Sequence, residues 1–187
     1  MDCRRDEKGV IRLAYLRGTA EERRMARQAY ARLEREGSAR RVFCDGTVRG
    51  PEAFEADLFR PGSLPFLVFF EERPCGVTWM NTIEGRSARG HFALFRRFWG
   101  RHRSIAIGRA IFEHFLSLRD GGGYLFDVLL GLAPVGNPLA WKLALLCGAE
   151  RVGVIPHGVY DASQGAAQDA VLTVTTRESL EKSRWDA

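Results

Sequence analysis

Lysine is nearly absent from this chain. Of its 28 basic residues only Lys8, Lys142 and Lys182 are lysine, and the other 25 are arginine. A GC-rich genome is enough to produce such a bias. Cysteine is also scarce. Cys3, Cys44, Cys75 and Cys147 are scattered and form no Cys-x-x-Cys pair, so neither a zinc site nor a disulfide framework is indicated. No run of ~18 apolar residues occurs, which excludes a helical membrane span. The segment Met1-Asp-Cys-Arg-Arg-Asp-Glu-Lys8 is charged and lacks the apolar core of a secretory signal. There is no internal repeat and no linker long enough to split the chain. These absences read as a reducing, cytoplasmic protein with a single domain over residues 1–187, polar after about residue 177.

What is present is an ordinary apolar content, 45% of 187 residues, enough for one substantial core. The formal charge is +5. A positive balance favours an anionic partner, either a phosphorylated cofactor or nucleic acid.

Along the chain, residues 10–16 alternate weakly as a first strand. Thr19-Ala-Glu-Glu22 matches a capping box. Met25, Ala29 and Leu33 follow at spacing four, with Ala26 and Tyr30 beside them, as one apolar helical stripe ended by Gly37. Gly50-Pro51 opens a second helix carrying Phe54, Leu58 and Phe59. A meander comes next. Residues 64–70 are a dense apolar run, Arg73-Pro-Cys-Gly76 reads as a turn, 77–83 return, Glu84-Gly-Arg-Ser87 turns again, and 90–95 form the third strand. Alternation sets His91, Ala93 and Phe95 on one face and Phe92 and Leu94 on the other.

A helix is predicted from near Ser104, with Ile107, Ile111 and Phe115 at spacing four, ending at Asp120-Gly-Gly-Gly123. Residues 124–130 read as a strand, apolar except for Asp127. Asn137 is a good N-cap, with Pro138 at the first helical position. Leu139, Leu143 and Leu146 supply the expected inner face, and Gly148 the stop. Strands at 151–160 and 170–176 close the pattern. The order is a mixed αβ layer structure, not an alternating doubly wound one.

Two segments carry chemistry. The first is Arg101-His-Arg-Ser-Ile-Ala-Ile-Gly-Arg-Ala-Ile-Phe112. Free N–H groups at a helix start attract phosphate oxygens. Ala106 and Gly108 would let a diphosphate approach the backbone, and Arg96, Arg97, Arg101, Arg103 and Arg109 add charge, with His102. The helix dipole gives only ~0.3–1 kcal/mol per charge, so charge-assisted bonds from several arginines matter more. The second segment is Asn137-Pro-Leu-Ala-Trp-Lys-Leu-Ala-Leu-Leu-Cys-Gly148. Glu84, His91 and Asp127 are the candidates for a general base, and Phe98-Trp99 among arginines offers stacking residues for single-stranded nucleic acid.

At these residues the chain resembles the GNAT superfamily of acyl-CoA-dependent N-acetyltransferases, over roughly residues 10–176. The resemblance implies a central, mixed but mostly antiparallel sheet of about seven strands with helices on both faces. It implies acetyl-CoA as acyl donor, an amine acceptor, and direct attack in a ternary complex. In that family the fourth strand leads into an Arg/Gln-x-x-Gly-x-Gly/Ala loop that binds the CoA pyrophosphate. Two registers compete here. Arg101-His-Arg-Ser104-Ile105-Ala106 keeps the arginine and the final alanine, whereas Arg103-Ser-Ile-Ala-Ile107-Gly108 fits the following Arg109-Ala-Ile-Phe better and is preferred. Both lack the first glycine.

The family's Asn-x-x-Ala-x-x-Leu-Tyr motif is matched by Asn137, Ala140 and Leu143, but Ala144 stands at the tyrosine. Asn137 would hold the pantetheine arm. Ala144 cannot protonate a leaving thiolate, and Tyr160 and Cys147 are the residues that could take over. Cofactor phosphates explain the arginine cluster, which disfavours nucleic acid. The final strands offer an edge for a homodimer.

A narrower likeness rests on His-Phe-Ala-Leu-Phe95, Ile-Gly-Arg109 and Gly131-Leu-Ala-Pro134 ahead of Asn137. This resembles GNAT-like proteins of tailed phages and prophages, and implies as an alternative a catalytically impaired assembly or interaction module.

Overall fold

A computed structural model describes residues 9–183; Cys3, Lys8 and the rest of the charged N-terminal segment lie outside them, as do residues 184–187. In chain order, β1 (Ile11–Tyr15) leads to α1 (Ala20–Arg35), the single-turn α2 (Ala39–Val42) and α3 (Pro51–Leu58). A meander follows: β2 (Leu64–Phe70), β3 (Arg73–Glu84) and β4 (Ser87–Leu94). A 3-10 turn (Arg96–Phe98) precedes α4 (Arg101–Ser117), the short ladder of β5 (Arg119–Asp120) and β6 (Gly123–Tyr124), and then β7 (Val128–Pro134). The last elements are α5 (Pro138–Leu146), the hairpin of β8 (Glu150–Asp161) and β9 (Ala166–Thr175), and α6 (Arg177–Lys182).

Seven strands form one sheet in the order β1-β2-β3-β4-β7-β9-β8. Every neighbouring pair is antiparallel except β4 and β7. This is the mixed, mostly antiparallel α/β architecture that the element order predicts.

The capping box starts α1 as read: Glu22 N–H donates to Thr19 Oγ1 at 3.3 Å, and Thr19 N–H to Glu22 at 2.9 Å. The stripe of Ala26, Ala29, Tyr30 and Leu33 is buried on the sheet. With Phe54 from α3, Phe43 and Trp79, Tyr30 builds an aromatic cluster whose centroids lie 5.4–6.0 Å apart. The opposite face belongs to α4. Phe115 meets Phe66 edge-on at 5.1 Å and Phe112 meets Phe92 at 6.3 Å. The two-residue period of β4 is therefore visible in its neighbours. Phe92 points to α4, while His91 stacks on Trp79 on the α1–α3 face, 4.9 Å and 7° from parallel.

Several boundaries differ from the sequence reading. The first hairpin turns at Glu71 and Glu72, both left-handed (φ 49° and 59°), as a tight two-residue turn requires. Arg73-Pro-Cys-Gly76 is already in β3, where Pro74 is tolerated beside the register shift at Val68/Phe69. The strand read at 124–130 begins only at Val128 and runs to Pro134, because Arg177 ties Asp127 into the connection before it.

Of the expected inner face of α5, Leu143 packs against the core but Leu139 and Leu146 do not. Leu139 is 60% exposed and Leu146 49%, while Ala144 and Cys147 are buried. The reason is close approach: a Cβ at Gly108 of α4 would collide with Cys147 Sγ, so only small side chains fit between α4 and α5. The polar tail begins with α6, whose Leu180 is buried and whose carbonyl accepts from Arg109 Nη2 at 2.5 Å.

Candidate active-site cleft

β4 and β7 run parallel for only three rungs, Ser87↔Val128, Ala88↔Leu129 and Arg89↔Leu130. Beyond them each strand keeps its outer partner. β4 stays on β3 as far as Leu94↔Gly76, and β7 stays on β9 as far as Pro134↔Ala170. The sheet therefore splits in its middle into a wedge that opens towards the C-terminal ends of both strands. Phe95 donates its N–H to Cys75 of β3 at 2.9 Å. By the alternation of an antiparallel ladder, the N–H and C=O groups of Gly90, Phe92 and Leu94 then point away from β3, into the wedge. Trp99 Nε1 takes the Leu94 carbonyl at 2.9 Å. The indole thus folds back over the end of β4.

At the mouth of the wedge α4 begins. It starts at Arg101, not near Ser104, and its N-cap is Gly100 (φ 145°), with no side-chain cap. That backbone angle suits glycine, which brings no side chain of its own to cap the first turn. Ser104 is buried and accepts from the Gly100 N–H at 3.2 Å, which fixes the approach to the helix. Arg97 and His102 are exposed around this start, and Arg103 Nη1 donates to the Arg97 carbonyl at 3.3 Å.

The loop read through Gly108 thus ends at Gly100. Ile105, Ala106, Ile107, Gly108 and Arg109 lie inside the helix. Gly108 is about 10 Å along the axis from Arg101. Ile107 is fully buried, Gly108 serves the contact with Cys147, and Arg109 is engaged by Glu113 at 3.4 Å and by the Leu180 carbonyl.

Asn137 follows the end of β7 at the open end of the same wedge. It is the N-cap of α5 by position, but its side chain makes no cap bond. Capping therefore does not account for the asparagine. Ala144 is buried, and neither substitute proposed for the tyrosine is at hand. Burial pushes the Cys147 thiol up to about 12, and Tyr160 is exposed on β8. Phe98 is buried 6.2 Å from Phe70, so it is a core residue and not a stacking platform for bases.

On the α1–α3 face of the splayed part of β4 sits His91. Its Nε2 lies 3.0 Å from Asn81 Oδ1, which also accepts from Thr82 Oγ1 at 3.2 Å. An oxygen receiving two donors requires the imidazole proton on Nε2 and leaves a lone pair on Nδ1. Burial, then the charges of Arg89 and Arg60, lower the His91 pKa to about 3, against a smaller opposing effect of Asp45. The ring is therefore neutral at ordinary pH. The tip of the β8–β9 hairpin reaches over this face: Ala162 N–H donates to the Cys44 carbonyl at 2.8 Å.

The other two candidate bases are elsewhere. Glu84 is exposed at the β3–β4 turn, paired with Ser87 at the closed end of the wedge. That is about 23 Å of strand from Leu94. Asp127 is bonded by Arg177 and lies 3.8 Å from Arg86. Residues that sequence reasoning passed over are Gly100 and Asn81, and Trp99, read there as a stacking residue, instead closes over the end of β4. A glycine just ahead of a basic helix start and a lone amide in an apolar strand were the available signals.

No family model and no curated protein matches the sequence. Solved structures do. The spermidine N-acetyltransferase of Vibrio cholerae, in complex with CoA and spermine, matches with TM-score 0.69 and 13% identity, over 91% of this chain and 98% of that one. A Salmonella typhimurium acetyltransferase that modifies the N-terminal serine of a ribosomal protein matches with TM-score 0.71 and 14% identity, over 91% and 96%. The microcin C7 self-immunity acetyltransferase, in complex with acetyl-CoA and AMP, matches with TM-score 0.63 and 15% identity, over 89% and 92%. The fold is that of the GNAT N-acetyltransferases.

Proposed function

We propose that this chain is an acetyl-CoA-dependent N-acetyltransferase acting on an amine by direct attack in a ternary complex. The observation that carries the reading is the wedge between β4 and β7, opening beneath the uncapped start of α4. The residues fit the donor. The first-turn N–H groups of α4, with Arg97, His102 and Arg103 around them, would hold its pyrophosphate. Arg97-Phe-Trp-Gly100 has an arginine three residues before a glycine, which meets the family's first glycine at a register upstream of the two considered from sequence. Backbone groups of Phe92 and Leu94 and the side chain of Asn137 would line the thioester arm. Acetyl-CoA supplies the activated acyl group. The chain's own part is alignment, which is worth on the order of 7–11 kcal/mol at best.

His91 suits a particular role. A neutral imidazole with a pKa of about 3 is too weak to strip an ammonium. Its Nδ1 lone pair can accept a hydrogen bond from an amine that arrives neutral and aim it across β4 into the wedge. No side chain in the place of the absent tyrosine would protonate the thiolate, which leaves that proton to solvent.

Thermal denaturation with acetyl-CoA tests the proposal. A free donor concentration one hundred times its dissociation constant should stabilise the protein by ~2.7 kcal/mol. No shift at millimolar donor would end it. A non-catalytic assembly or interaction role, the alternative that the sequence raises, would show no thiol release with any primary amine. Homodimerisation through β8 belongs to the same proposal. This outer strand exposes Val152, Val154 and Tyr160, and light scattering on the wild type and on Val154→Asp would report it.

A further inference from the structure

We infer that the acceptor amine carries a carboxylate, held by Arg89; this rests on the acetyltransferase reading above. Arg89 occupies the last rung before the wedge, paired with Leu130 of β7 and opposite Asn81 of β3. Two residues before His91 on the same strand, it projects from the same face. Its Nε is buried without a hydrogen-bond partner among the described residues, and no described carboxylate pairs with it.

The neighbouring charges are otherwise satisfied. Arg60, the second cation felt by His91, is 3.3 Å from Asp57. Asp45, the acid felt there, has Oδ1 occupied by the Thr47 N–H at 3.1 Å and hydroxyl at 2.9 Å. A partly buried guanidinium lacking a counter-ion is costly to keep unless something in the working complex neutralises it. Its planar fork matches a carboxylate with two parallel bonds.

The adjoining surface defines the rest of the molecule. Leu130, Leu132, Leu172 and Val174 lie on the face that Arg89 shares, paired as Leu130↔Val174 and Leu132↔Leu172. All four are only half-buried, because α4 and α5 cover the opposite face and α1–α3 pack over β2–β4. The acceptor thus has an amine for His91, a carboxylate for Arg89 and an aliphatic or aromatic body for this floor. Those are the features of an apolar amino acid. In the reaction the amine nitrogen bonds the acetyl carbon, the thioester C–S bond breaks, and one proton passes from nitrogen to sulfur by way of solvent. The carboxylate takes no part and only orients.

The test compares L-amino acids with their amides and with the parent amines, scoring thiol release and, separately, binding by titration calorimetry. L-leucine, leucinamide and isopentylamine form one such set. For at least one apolar amino acid, wild-type kcat/KM should exceed that of both carboxylate-free analogues by tenfold or more. Arg89→Met should erase that preference through KM, with the acetyl-CoA thermal shift unchanged as proof of folding. Equal rates within every set, or a preference that survives Arg89→Met, overturns the inference. If no amine releases thiol, binding still decides. Amino acids that bind the wild type and not Arg89→Met uphold the carboxylate site while the acetyltransferase reading fails. Amino acids that bind no better than their amides defeat the carboxylate site whatever the activity.

Discussion

His91 gives its one N–H to Asn81 Oδ1 at 3.0 Å, so the ring has no second proton to offer, and the pull of Asp45 is too small to offset burial and the charges of Arg89 and Arg60. Folding holds its pKa at about 3, against ~6.5 for a free histidine. Between these values the unfolded chain binds more protons than the folded one. The stabilisation is complete above the unfolded pKa and is lost as pH falls, by up to about 1.4 kcal/mol per unit. Urea unfolding at about pH 7 and about pH 5 should show the wild type losing about 2 kcal/mol more than His91→Gln. Equal losses would refute the assignment of a neutral, buried ring.

The same ring shapes the activity profile. With the general base absent at neutral pH, kcat/KM should climb with pH until the acceptor's own ammonium has titrated, with no inflection near 6–7. His91→Gln should keep that shape and lower the rate roughly tenfold or more, as removal of a positioned acceptor does. A bell centred on the histidine range would contradict the role.

Gly108 and Cys147 make a packing prediction. Gly108→Ala places a methyl group on Cys147 Sγ, and overpacking costs about 1–3 kcal/mol. Cys147→Ala should recover most of that loss in the double variant, a coupling readable from a double-mutant cycle. Because Gly108 lies inside α4, the folded Gly108→Ala protein should bind acetyl-CoA as the wild type does. A selective loss of donor affinity would return Gly108 to the phosphate site.

Gly100 should behave in the opposite way. Its φ of 145° strains any L side chain, and it borders the turn proposed to bind the pyrophosphate. Gly100→Ala is expected to cost about 1 kcal/mol of stability and to weaken acetyl-CoA at least tenfold. Calorimetric titration checks it, and unchanged affinity would move the pyrophosphate away from this turn.

Arg177 donates to the carbonyls of Leu116 at 3.0 Å and Phe126 at 2.8 Å, and it also binds Asp127. Arg177→Ala strands those acceptors and should cost about 1–3 kcal/mol. Asp127→Asn should lower stability and leave kcat unchanged. A thousandfold fall in kcat with an unaltered melting curve would make Asp127 catalytic after all.

Local patterns reached the elements and stopped at their junctions. The capping box at Thr19 and Glu22, the α1 stripe and the alternation of β4 were legible because each is set by neighbours a few residues away. The start of α4 was not. Arg101 and Arg103 favour a helix but His102 and Ser104 do not, so composition leaves the start open, and what fixes it is the Gly100 N–H bonded to Ser104, seen only in three dimensions. The inner face of α5 was misread at Leu139 and Leu146 for the same reason. Leucine periodicity names the apolar positions, but the closeness of α4 selects the small ones. Of the candidate bases, His91 alone sits on the splayed part of β4. Nothing in the chain order distinguishes it from Glu84 or Asp127, because the wedge is a property of strand pairing.

That three-rung junction of β4 and β7 has a mechanical consequence. A seven-stranded sheet is ordinarily weakest at its rims, where strands fray. Here it is weakest along its midline, where two half-sheets, β1–β4 and β7–β9, meet over less than one strand length. Any molecule seated there acts as a stitch across a seam. The wedge-facing amides of β4 and β7 beyond Arg89 and Leu130 should therefore exchange faster with solvent than those of the three paired rungs, and slow down when the seam is filled.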